Sequence, residues 1–152
     1  MFNATRRLAE VVAPAVASVV AVAAASVALL ASSPASAQGG DAIKAEFARA
    51  VYLNNATRVH NEQPQALLRA VVVLRVRLDA EGQWKAEVFR DNPEQPELTR
   101  AALDSVAQLP APVGLSPAAR RVLQEQGVVE AWLFQNDGRF ALKTLAKPQR
   151  SA

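Results

Sequence analysis

Histidine occurs once in this chain, at His60, and cysteine does not occur at all. A two-histidine metal site, a thiolate nucleophile, a lipid-modified cysteine and a disulfide are therefore excluded. Any nucleophilic triad would have to use His60. That residue lies in the polar run "NNATRVHNEQPQ" (54–65), where a solvent-exposed imidazole is expected. No G-x-S-x-G, H-E-x-x-H, G-x-G-x-x-G or phosphate-loop pattern occurs. No catalytic, cofactor-binding or metal-binding residue is expected.

Carboxylates offer the remaining route to acid–base chemistry. Asp79 and Glu81 flank one turn, and Glu87 and Asp91 follow on the returning segment. Paired acids hydrolyse glycosides only across a cleft, with one of them in an apolar pocket. Acids beside a turn are solvated instead, and Glu87 is the natural cross-strand partner of Arg75 and Arg77. Among the large aromatics of the sheet region, Trp84, Trp132 and Phe134, Trp132 reads as core. Trp84, beside the turn, reads equally well as core or as an interface anchor.

The elements that position these residues follow from hydrophobic periodicity. "DAIKAEFARAVYL" places Ile43, Phe47, Ala50 and Val51 on one helical face, with Asp41 as N-cap, and predicts a helix over 41–53. In "AVVVLRVRL" Ala70, Val72, Leu74, Val76 and Leu78 alternate with Val71, Val73, Arg75 and Arg77, the period of a strand with one wet face. "DAEGQ" supplies a turn with Gly82 free to take positive φ, and "WKAEVFR" returns, so a hairpin is predicted over 67–91. "PELTRAALDSVAQLP" (96–110) then sets Leu98, Ala101, Ala102, Ser105 and Leu109 on one small-residue stripe suited to lying close on a sheet. Prolines stop that helix. Ser116 and Pro117 start another, which Gly127 ends. "VVEAWLF", "QNDG" and "RFALKTL" read as strand, turn and strand. The order α-β-β-α-α-β-β predicts an α+β fold: a small antiparallel sheet of three to four strands, helices on one face, an N-terminal helix in front.

The first quarter of the chain has another composition. Arg6 and Arg7 precede a stretch from Val11 to Ala31 without a charge, and Ala35-Ser36-Ala37 follows with the small-x-small pattern of a cleavage site. This predicts a signal peptide over 1–37, cut after Ala37, and a periplasmic mature protein. The competing reading is an uncleaved anchor, since a span needs roughly 20 apolar residues. Residues 38–40 form a lead-in, 41–147 one domain and 148–152 a tail. The formal net charge is +3; the leader holds Arg6, Arg7 and Glu10, so the mature domain keeps a small excess without a clustered basic face. Nucleic acid is not an expected partner.

"LRVRLDAEGQW" followed by "LTRAALDSVAQLPAP" resembles the TonB C-terminal domain family, which includes TolA-like periplasmic modules. Leu98 to Val106 is similar to the family's L-D-x-A-A-L-x-A-V helix, with Thr99 in place of the aspartate. Leu109-Pro110-Ala111-Pro112 is similar to its proline loop, and "GVVEAWLF" to its last strand; the likeness spans 64–136. "RDNPEQP" stands where the family often has Ser-Ser-Gly, and no histidine precedes His60, so coupling to a proton-driven motor is not implied. The resemblance implies a non-enzymatic role without cofactors, binding a protein of the cell envelope by β-strand addition at a sheet edge.

On that reading Val129, Ala131, Trp132, Phe134, Arg139, Phe140, Ala141, Leu142 and Lys143 are the partner-binding candidates. If residues 139–145 form an outer strand, they cover the family's usual edge, and the exposed edge moves to Arg139–Leu145. A second copy of the chain is an alternative partner, giving a homodimer. Two other function classes stand beside this one: a small periplasmic enzyme or ligand-binding domain with a pocket between helices and sheet, and a membrane-anchored subunit if 11–31 is retained.

Overall fold

A computed structural model describes residues 34–149. The elements run α1 (Pro34–Asn54), β1 (Ala70–Leu78), β2 (Trp84–Arg90), α2 (Pro96–Ala107), α3 (Pro117–Glu125), β3 (Val128–Phe134) and β4 (Phe140–Leu142). The class is α+β, with one antiparallel sheet in the order β2-β1-β3-β4. The expected leader lies outside the described residues except for its last four, which belong to α1. Asp41 is therefore not an N-cap, because it sits inside a helix that runs through Gly39 and Gly40. Glycine lowers helix stability by about 1 kcal/mol per site but does not by itself stop a helix.

Strand alternation decides which side of the sheet is dry. Ala70, Val72, Leu74, Val76 and Leu78 of β1 are buried, and so are Val128, Glu130, Trp132 and Phe134 of β3. The ladder sets Val72 opposite Trp132 and Leu74 opposite Glu130. All three helices pack on this side. α1 brings Phe47 and Val51, α2 brings Leu98, Ala102 and Val106, and α3 brings Leu123. Ala102 is fully buried, so the small-residue stripe lets α2 lie close to the strands. Ser116 caps α3, its hydroxyl accepting from the Ala119 N–H at 3.1 Å.

Two glycines are required by their surroundings. Gly82 takes φ 80° in the β1–β2 turn. Gly127, at φ 70°, enters β3 so tightly that a Cβ would lie 2.5 Å from the Val76 carbonyl oxygen.

Candidate functional site

The sheet has two edges, and their backbones are in opposite states. At the β4 edge the ladder to β3 uses alternate residues: the Lys143 N–H donates to Ala131 and the Gln135 N–H to Arg139. The groups of Phe140 and Leu142 therefore point away from the sheet. Each of them has an internal partner. The Phe140 N–H donates to the Arg58 carbonyl at 3.0 Å, and its own carbonyl accepts from the His60 N–H at 2.7 Å. The Leu142 N–H donates to the Tyr52 hydroxyl at 3.1 Å. The Leu142 carbonyl accepts from Leu145 and Ala146. Val59 thus forms a single parallel bridge with Phe140 and closes the edge.

This corrects the expected outer strand. β4 spans Phe140–Leu142 rather than 139–145, and it exposes no open backbone. Its end has a specific cause. The Glu130 carboxylate, 1 % exposed, accepts through Oε1 from the Ala131 N–H at 2.8 Å and the Thr144 N–H at 3.3 Å. The side chain takes the place of the next strand residue, and the chain turns off after Leu142. His60 is also corrected from exposed to buried, since its backbone must reach Phe140 to close the edge. Burial pushes the Tyr52 phenol above its ordinary pKa, the Leu142 N–H opposes the rise, and the charge of Glu130 adds to it.

The candidate residues divide accordingly. Trp132, Phe134, Phe140, Ala141 and Leu142 are buried. Trp132 donates its indole N–H to the Ser105 hydroxyl at 3.0 Å, and Phe134 and Phe140 meet edge to face at 5.7 Å. Val129 is 38 % exposed, Ala131 is partly buried, and Arg139 and Lys143 are exposed. The Arg139 guanidinium donates to Asp137 at 2.7 Å within the β3–β4 turn. The fold brings the nine onto β3, β4 and the residues flanking β4, with Trp132, Phe134, Phe140, Ala141 and Leu142 in the core.

The β2 edge is different. The Asp79 N–H donates to the Gln83 carbonyl at the turn, which fixes the alternation of the ladder. Opposite Arg77 and Arg75, the groups of Lys85 and Glu87 face β1. Those of Trp84, Ala86 and Val88 face outward, and among the described residues no element pairs with them. A bulge between Val73 and Leu74, where Val73 pairs with Arg90 and Leu74 with Val88, leaves Phe89 without an opposite residue and ends the regular edge there. Arg75 stacks over the Phe89 ring at 5.5 Å.

Beside this edge lies a groove of about 380 Å³ between β2 and α2, where Trp84, Ala86, Leu103, Val106, Ala107 and Leu109 share the lining with the polar Gln83 and Lys85. Val88 is on the helix side of the sheet, opposite Leu74, yet is 43 % exposed. On the other side, Lys85 approaches Asp79 at 3.5 Å, and Arg77 bridges diagonally to Glu87 at 2.9 Å. Trp84 is half-buried: its indole N–H donates to the Pro110 carbonyl at 3.0 Å, and its ring lies 5.2 Å from Phe47. A second hollow of about 250 Å³ opens between α1 and the proline loop, apolar in lining apart from Glu46.

Among the described residues no group of acidic or histidine side chains could hold a metal ion, and no helix is long and apolar enough to cross a membrane. Among the described residues, fold and edge together define an α+β domain whose sheet is closed at β4 and open at β2. No protein-family model, curated protein or solved structure matches the chain.

Proposed function

We propose that this protein is a secreted, non-enzymatic binding domain of the cell envelope that takes up an extended protein segment by strand addition along β2. One observation carries the reading: among the described residues nothing pairs with the outward backbone groups of Trp84, Ala86 and Val88, which run beside a groove of mixed polarity against α2, while those of Phe140 and Leu142 at the β4 edge are all bonded. Strand addition draws affinity from main-chain hydrogen bonds and selectivity from alternate side chains. Here every second side chain of the added strand enters the groove against α2. The resemblance to the TonB C-terminal domain supports the mode of binding, and the N-terminal composition supports the periplasm. The edge differs from the one the resemblance suggests.

The test combines a displayed library of random decapeptides with amide exchange. At a protein concentration low enough to keep the chain monomeric, selected peptides are expected to slow exchange at Ala86 and Val88 and to leave Phe140 and Leu142 unchanged. Ala86→Pro removes an outward N–H that serves no internal bond, so it is tolerated by the fold and blocks the peptide. Peptides that bind Ala86→Pro as tightly as the parent, or that protect no amide within 84–88, would refute the β2 assignment.

A further inference from the structure

Resting on that reading of the β2 edge, we infer that its resident occupant is the β2 strand of a second copy, paired antiparallel about a two-fold axis at Ala86, and that a foreign segment binds by displacing it. An exposed strand edge is a ready template for pairing with another chain, and Lys85 and the bulge at Phe89 limit which pairings this one accepts. The outward-facing set Trp84, Ala86 and Val88 restricts how two β2 strands can meet, because hydrogen-bonded pairs must be drawn from that set on both chains. The axis can then fall on any residue from Trp84 to Val88.

Charge selects among these registers. Centring the axis on Lys85 puts Lys85 opposite Lys85, and centring it on Glu87 puts Glu87 opposite Glu87. Both are like-charge pairs, which destabilise a ladder. Centring on Trp84 or Val88 leaves much of each strand unpaired. Centring on Ala86 pairs Trp84 with Val88 of the second copy twice and Ala86 with itself. It also sets Lys85 opposite Glu87 of the second copy twice. Within each chain Lys85 already approaches Asp79, and Arg77 already holds Glu87. The dimer therefore joins these into two rows of alternating sign: Asp79, Lys85, then Glu87 and Arg77 of the second copy.

The helix side of the sheet agrees. In this register the exposed Val88 of one copy stands opposite Trp84 of the other, at the groove against α2. The residue on the axis is alanine, small enough for the two copies to approach with their side chains on the same face. The bulge at Phe89 ends pairing just beyond Val88, so the contact is a short ladder on each side of the axis. Such a contact is exchangeable, as displacement by a foreign strand requires.

The experiment is sedimentation equilibrium on the chain as purified from the cell envelope, with Lys85→Glu and Glu87→Lys alone and mixed. These side chains are 68 % and 52 % exposed, so the core is untouched. The parent is expected to show a concentration-dependent dimer. Each variant alone opposes like charges twice and should dissociate at least tenfold more readily. In the equimolar mixture the Lys85→Glu strand, acidic at both positions, meets the Glu87→Lys strand, basic at both. Opposite charges then face each other twice, and the parent's association should return. Recovery also shows that both variants are folded.

A parent that stays monomeric, single variants that dimerise like the parent, or a mixture that fails to recover would overturn the inference. If the chain is monomeric but selected decapeptides still protect Ala86 and Val88, the second copy falls and strand addition stands. If neither occurs, both fall.

Discussion

The two edges of this sheet differ in polarity and meet opposite fates. β4 is a short apolar strand whose outward backbone groups are all bonded inside the molecule, by Arg58, His60, Tyr52 and the turn at 145–146. β2 is longer, carries Lys85 and Glu87, and has no partner among the described residues for the outward groups of Trp84, Ala86 and Val88. A buried backbone group without a partner is costly, so an apolar edge strand has to be closed. A strand with one charged face and one half-open face can stay in water. The lesson is that edge closure follows strand polarity: the fold seals the edge it must bury and leaves open the one it can wet.

Breaking the sealed edge should have the largest effect. Phe140 is 1 % exposed, packs on Phe134 and carries both backbone bonds to the 58–60 segment. Phe140→Ala is expected to cost about 3–5 kcal/mol. Val88→Ala, the matching truncation on the open edge, should stay within about 1 kcal/mol, since the side chain is 43 % exposed. Chemical denaturation of both variants at low protein concentration reads the contrast. Equal losses would mean that the edges are not distinct.

A smaller change tests the seal itself. Tyr52→Phe keeps the ring and removes only the hydroxyl that accepts from Leu142. It leaves a buried donor unsatisfied, at an expected cost of about 1–3 kcal/mol. Amide exchange should quicken at Leu142 while Ala86 and Val88 keep their parent rates. An unchanged rate at Leu142 would show that the phenol does not close the edge. Of similar size is Ala102→Leu, beneath the sheet on the open side. Its site is fully buried, so overpacking should cost about 1–3 kcal/mol. An unchanged denaturation midpoint would show that α2 does not lie where the small-residue stripe places it.

The elements that build the two edges are legible in the sequence; the contrast between them is not. The alternation in β1 and the Gly82 turn announce the first hairpin, and the Leu98–Leu109 stripe announces the buried face of α2. In "VVEAWLF", Val128, Glu130, Trp132 and Phe134 share a period-two face, so the position of Glu130 inside the core is written in the pattern. Its role at the end of β4 is not. What sequence could not supply was sheet order and long-range closure. The Tyr52–Leu142 bond joins residues 90 apart, and the bridge from Val59 involves one residue with no strand around it. Neither leaves a periodic trace, and for that reason His60 reads as solvent and Arg139–Leu145 as an open edge. The β2 edge is overlooked for the converse reason: "WKAEVFR" looks like an ordinary half-wet strand, and only the order β2-β1-β3-β4 reveals that nothing lies beyond it among the described residues.

The smallest effect compares the two hairpin turns, one beneath each edge, through their aspartates. Asp79 accepts from the Gln83 N–H at 2.8 Å, and Asp137 accepts from the Arg139 N–H at 2.9 Å. Both carboxyls are held below the usual aspartate pKa. At Asp79 the Gln83 N–H is the chief cause, with the charge of Lys85 adding to it; at Asp137 the Arg139 N–H leads and the Arg139 side chain follows. A carboxyl with a lower pKa folded than unfolded adds stability that is fully present above the unfolded value of about 3.9. That stability is lost as pH falls through the depressed folded value. Asp79→Asn and Asp137→Asn should therefore lower the melting temperature slightly at about pH 6, well above that range. The gap from the parent should shrink below about pH 4, where the parent carboxyls also take up protons. The turns are wet, so both gaps should be small beside the Phe140→Ala loss. A gap that persists unchanged at about pH 2, with the carboxyls protonated, would assign the effect to amide geometry in the turn rather than to the carboxylate charge.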